Sequence, residues 1–213
     1  MLATNGLYDQ GGVVTALTLT NRIVITGRVA LASVNGPEWT SIRGQSAPCG
    51  GDGAGAARCA WLGSNATLSG FTLHDGHTGA TNGTMTEERY GGGAWCQPGA
   101  VLSNCVIAGN SSSVGGGGVY HGRLLDCCLI SNVADYGGGA FDATLRGRGV
   151  LANRARIQGG GAYLGRIADC TLAGNAALQG GGGCYLATLS ACVVSGNTAI
   201  AGGGLAYSTM TNG

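Results

Sequence analysis

Cys105-Val-Ile-Ala-Gly-Asn110 decides how this chain is read. It returns as Cys127-Cys-Leu-Ile-Ser-Asn132, Arg148-Gly-Val-Leu-Ala-Asn153, Cys170-Thr-Leu-Ala-Gly-Asn175 and Cys192-Val-Val-Ser-Gly-Asn197. The asparagines stand 22, 21, 22 and 22 residues apart. A constant period of this size marks a solenoid, in which each repeat buries its apolar face only by stacking on its neighbours.

Working outward from the asparagines, three columns set the architecture. Eight residues earlier stand Leu102, Leu124, Leu145, Ile167 and Leu189; five earlier, Cys105, Cys127, Arg148, Cys170 and Cys192; three earlier, Ile107, Leu129, Val150, Leu172 and Val194. Positions five and three alternate as in a strand, and position eight falls on another strand across a corner. Triple glycines at 91–93, 116–118, 137–139, 159–161, 181–183 and 202–204 exclude a helix of matching period. Strands that repeat in one direction pair parallel with the next coil, ~4.8 Å away. The expected class is therefore all-β, a single parallel β-helix with coils of about 22 residues. Each asparagine is expected at a corner with left-handed backbone geometry.

Composition agrees with a packed array. Glycine accounts for 44 of 213 residues and charged residues for 10%. All 11 basic residues are arginine and the formal net charge is +1, so no basic face for nucleic acid follows. Without lysine, the glycine runs cannot be a phosphate-binding P-loop. No cofactor is implied. No apolar run approaches the ~20 residues of a membrane span. The first residues, Met-Leu-Ala-Thr-Asn-Gly, lack the regions of a signal peptide, so the chain is either cytosolic or a piece of a longer exported protein. Four of the nine cysteines form the column above and read as buried free thiols; Cys49 and Cys59, outside it, are the best disulfide candidates.

Residues 1–67 read as irregular N-terminal coils interrupted by a loop over 45–57, and 68–213 as regular repeats. In the first repeat Phe71 takes the cysteine position and Gly76 the asparagine position. An insertion over 77–90 then delays the next coil. Breaks in a solenoid are where binding residues collect, so His74, Asp75, His77, Glu87, Glu88 and Arg89 are candidate ligand-binding residues. Their spacing fits no metal motif. A second candidate is the aromatic column Trp95, Tyr120, Phe141, Tyr163 and Tyr185, which either offers a stripe for sugars or stacks on itself over the glycine face. The neighbouring column of Ala94, Val119, Ala140, Ala162 and Cys184 points the opposite way, to the interior.

The Gly-Gly-Gly-Ala/Val-aromatic runs, paired with apolar-x-x-Asn at Ile107–Asn110, Leu172–Asn175 and Val194–Asn197, resemble the repeats of bacterial polymorphic outer membrane proteins. They are closer still to the large right-handed parallel β-helix repeat proteins of environmental bacteria. The likeness reaches upstream through Thr4–Tyr8, Ser33–Pro37 and Leu68–Leu73. It implies a right-handed coil and a non-catalytic surface or adhesion module, extracellular or on the outer membrane. Its partners would be polysaccharide or a neighbouring cell surface. Aliphatic residues replace the Phe of the family's Phe-x-x-Asn, and Gly213 falls partway through a coil, as in a fragment.

Two other readings stay open. The same fold serves polysaccharide lyases and glycoside hydrolases. Asp126 and Asp169 share a column but are two coils, ~10 Å, apart, too far for most carboxylate pairs. End-to-end self-association through uncapped strand edges is the third possibility. His121 reads as a surface residue. Arg148 interrupts an inward column and is expected either to find a carboxylate or to be turned out by a local distortion.

Overall fold

Parallel strands wind through three long sheets in the computed structural model, which describes residues 1–15, 18–79 and 87–211. The first sheet has nine strands running from Leu2–Ala3 through Val101–Ser103, Arg123–Leu125, Thr144–Arg146 and Arg166–Ala168 to Thr209–Thr211. The second has eight, from Gly6–Tyr8 to Val193–Ser195. The third runs from Val13–Val14 to Leu205–Ala206, and its first strand alone pairs antiparallel with its neighbour, along the edge of Thr20–Ile25. A short fourth sheet joins Val133–Tyr136, Arg154–Gln158 and Ala176–Ala177. The chain is a parallel β-helix, and its coils begin at Leu2, well ahead of the first recognisable repeat.

The columns keep their register. Leu102, Leu124, Leu145, Ile167 and Leu189 pair in succession and are buried, as are Ile107, Leu129, Val150 and Leu172. Burying each such side chain contributes ~1.5–3 kcal/mol, so the core grows by a similar increment with every coil. The single 21-residue interval has a local cause. Ser111 bridges Val133, and Gly115 bridges Tyr136. One residue is thus lost at that corner, and the register shifts back between Ala134 and Tyr136 in the next coil.

The asparagines form an unbroken internal ladder. Asn110 donates its backbone N–H and its Nδ2 to Asn132 Oδ1, each at 3.0 Å, and Nδ2 also to the Leu73 carbonyl at 3.0 Å. The same three bonds recur from Asn132 to Asn153, from Asn153 to Asn175 and from Asn175 to Asn197. The left-handed residue is not the asparagine, as the sequence suggested, but the one before it: Asp75, Gly109, Ser131, Ala152, Gly174 and Gly196 have φ between 52° and 65°. Turning one residue early aims the Asn side chain inward, where the neighbouring coils supply its partners.

At the head of the ladder Gly76 has no side chain, and a thiol takes its place. Gly76 N–H donates to Asn110 Oδ1 at 2.8 Å, and Cys59 Sγ donates to Asn110 Oδ1 at 3.5 Å and to the His74 carbonyl at 3.2 Å. A Cβ on Gly76 would lie 2.8 Å from that sulfur, so an asparagine and Cys59 exclude one another. Burial pushes the Cys59 thiol up to about 12, keeping it a protonated donor at neutral pH. This rules out the Cys49–Cys59 disulfide considered above: Cys49 is exposed, Cys59 is buried, and all nine cysteines are free thiols. In the cysteine column each thiol donates to the carbonyl two residues back, Cys105 to Ser103, Cys127 to Leu125, Cys170 to Ala168 and Cys192 to Ser190.

Arg148 is turned out rather than paired with a carboxylate. Its φ is 65°, its side chain is exposed, and among the described residues that side chain has one polar contact, with Asn104 Oδ1 at 3.5 Å. A left-handed conformation costs a side-chain-bearing residue ~1–2 kcal/mol. Arg148→Gly should therefore raise stability by about 1 kcal/mol, read as a rise of a few degrees in Tm by calorimetry.

Candidate functional site

The insertion is clamped to the body at both of its described ends. At its start, Asp52 from the 45–57 loop accepts from Thr78 N–H at 2.8 Å and from Ser111 Oγ at 2.9 Å. His77 Nδ1 lies 3.4 Å from the same carboxylate. At its end, Glu88 is buried and its Oε1 accepts from the backbone N–H groups of Thr18 and Leu19. Arg58, also buried, donates to the carbonyls of Glu87, Tyr90 and Gly91 and to Asn21 Oδ1. Burial lowers the Arg58 pKa to about 10, which still leaves it charged at neutral pH.

The six candidates from this region are therefore separated by role. His74 Nδ1 pairs with Asp75 Oδ2 at 3.0 Å on the surface, whereas His77 faces Asp52. Glu88 holds the N-terminal segment, and Arg89 Nε reaches Ser113 Oγ at 3.5 Å. Glu87 enters through its carbonyl, which accepts from Arg58 at 2.7 Å. Among the described residues no three His, Cys, Asp or Glu side chains gather as a metal site would require.

Asp52 also gives the region a pH signature. Burial works against its charge, but contacts with His77, Thr78 and Ser111 outweigh this and hold its pKa below 3.8. A carboxyl depressed on folding contributes stability above 3.8 that disappears as pH falls through the folded value. Asp52→Asn should accordingly be less stable than the parent at pH 7 and approach it under more acidic conditions, measured by urea unfolding across pH.

A polar hollow of about 460 Å³ lies beside the clamp, lined by Asp9, Arg22, Arg43, Gln45, Asp75 and His77 among others. Arg43 pairs with Asp9 at 2.5 Å; Arg22 donates to Gly11 O, Arg43 O and Gln45 Oε1. Sequence reasoning found Asp75 and His77 here. It missed Asp9, Arg22, Arg43, Asp52 and Arg58, whose contacts span long stretches of irregular chain and repeat nowhere.

The aromatic column stacks on itself. Trp61, absent from the sequence reading, begins it. Trp61–Trp95, Trp95–Tyr120, Phe141–Tyr163 and Tyr163–Tyr185 lie 5.5, 6.2, 5.0 and 5.5 Å apart at interplanar angles of 24° or less. Ring faces are thus covered by neighbouring rings. Tyr136 meets Tyr163 edge-on at 5.2 Å, and the His121 ring stacks on Tyr120 at 4.0 Å with Nε2 3.3 Å from Asp142.

On the outer face of the first sheet, Arg123, Arg146 and Arg166 surround Thr144 over a shallow hollow of about 350 Å³. Arg146 Nε binds Asp169 Oδ2 at 3.1 Å. Asp126, the other acid of that column, lies over Gly147, where an added Cβ would come within 2.5 Å of its Oδ1. We found no match for this chain among protein-family models, characterised proteins or solved structures.

Proposed function

We propose that this chain is a non-catalytic binding module of an exported surface protein, a rigid β-helix that presents its outer faces to polysaccharide or a neighbouring cell. The observation that favours this reading is how the candidate acid–base groups are used. Glu88 is spent on the Thr18 and Leu19 amides, while His74 and His77 belong to different carboxylates. The surface location and the likeness to outer-membrane repeat proteins rest on the Gly-Gly-Gly-Ala/Val-aromatic and apolar-x-x-Asn motifs.

A carbohydrate-active enzyme is the second reading, favoured by the hollow that gathers His77, Asp75, Arg22 and Arg43. A screen for binding and for depolymerisation across polysaccharides separates the two. Binding without new chain ends supports the module. Cleavage that is lost on His77→Gln, with Tm unchanged, would establish the enzyme.

A further inference from the structure

We propose that the outer face of the first sheet binds a linear acidic polysaccharide, with Arg123 and Arg166 holding its carboxylate or sulfate groups. This deepens, and rests on, the reading of the chain as a surface-binding module.

Register places these residues. Val101, Arg123, Thr144, Arg166 and Thr188 follow one another in a single outward column. Arg123 and Arg166 are thus two coils apart, ~10 Å along the axis. Arg146 projects from the coil between them, two residues farther along its strand.

Commitment of charge and register together select the two outer arginines: Arg28 and Arg154 are also exposed without a side-chain partner among the described residues, but neither stands in this column. Arg146 is tied to Asp169, and Arg22, Arg43, Arg58 and Arg156 likewise have strong polar partners. Arg123 and Arg166 are exposed, and their guanidinium groups make no hydrogen bond or ion pair with any described residue, although their backbone N–H groups pair with Ala100 and Ala143. The nearby acids, Asp126 and Asp169, stand just beyond the ends of their strands, and Asp169 is taken up by Arg146.

The chemistry of the face fits a polyanion with oxygen-rich neutral parts. A guanidinium binds carboxylate or sulfate through two parallel N–H donors, and all basic residues of this protein are of that type. Thr144 and Thr188 add hydroxyls, and Ala168 keeps the floor low. The hydrogen-bonded sheet beneath fixes the spacing, so little backbone order is lost on binding. In an extended β-1,4-linked glycan alternate sugars face opposite sides, so charges on one edge recur every second sugar. That repeat matches two coils of the solenoid.

The test is retention of the purified chain by two acidic glycans with β-1,4 linkages, carboxymethylcellulose and mannuronate-rich alginate, with dextran as the neutral probe and double-stranded DNA as a polyanion without sugar acids. Arg123→Gln/Arg166→Gln should weaken binding to the acidic glycans at least tenfold and leave Tm unchanged. Arg28→Gln, exposed and remote in sequence, should leave binding intact. The proposal is overturned if the double variant binds as well as the parent, if neither acidic glycan is retained, or if DNA is bound equally well. Retention of dextran alone would overturn it while sparing the module reading. Depolymerisation of either glycan would overturn the module reading itself.

Discussion

Asn153→Asp is expected to destabilise the protein by about 3–5 kcal/mol at pH 7, although it changes one atom. The amide Nδ2 of Asn153 donates to the Leu129 carbonyl at 2.9 Å and to Asn175 Oδ1 at 3.1 Å. A carboxylate turns both donors into an acceptor facing acceptors, inside a residue that is 1% exposed. The oxygen that accepts from Asn132 survives, so the loss isolates two bonds and one buried charge. Burial raises the pKa of the new carboxyl above its unfolded value of ~3.9. The penalty is therefore complete above the folded pKa and shrinks as pH falls toward the unfolded one, because the protonated acid regains a donor. Urea unfolding at neutral and mildly acidic pH measures both parts. Asn197→Asp should cost less, since Asn197 is half-buried.

Gly138→Ala should be as damaging or worse, with a loss above about 4 kcal/mol or no soluble protein. A Cβ at Gly138 would stand 2.4 Å from the Arg154 carbonyl oxygen and 2.6 Å from that of Gly160. Both are backbone atoms of the next coil, held in the ladder, so relief requires separating coils. Gly174→Ala is the contrast. Its φ is 65°, but the nearest atom to an added Cβ is 4.0 Å away, and Ala152 already occupies the equivalent position one coil earlier. Only the left-handed strain applies there, ~1 kcal/mol. Expression yield and Tm of the two variants show whether the triple glycines serve close coil contact or turn geometry.

These contrasts mark what the sequence made legible. An inward residue in a solenoid recurs at each coil, so Leu102, Ile107, Cys105 and their successors announced the core, and Asn110 to Asn197 announced the ladder. Features that occur once carried no such signal. Cys59 completes the ladder from a position 17 residues ahead of Gly76, in a coil with no asparagine to align. Arg58 and Glu88 join the insertion to the N-terminal strands through unrepeated contacts. The placing of left-handed residues was misread because Asn tolerates that conformation, while its side chain is needed inside. Arg123 and Arg166 became neighbours only once strand register was fixed, since a threonine stands between them in their column.

Side-chain amide hydrogen exchange of the asparagines, followed by NMR, tests most directly the claim that a continuous internal ladder holds the coils together. The Nδ2 protons of Asn110, Asn132, Asn153 and Asn175 are buried and doubly bonded, so they should exchange only on global unfolding. Those of the exposed Asn65 and Asn104 should exchange at once. Four ladder amides exchanging as fast as Asn104 would contradict the account.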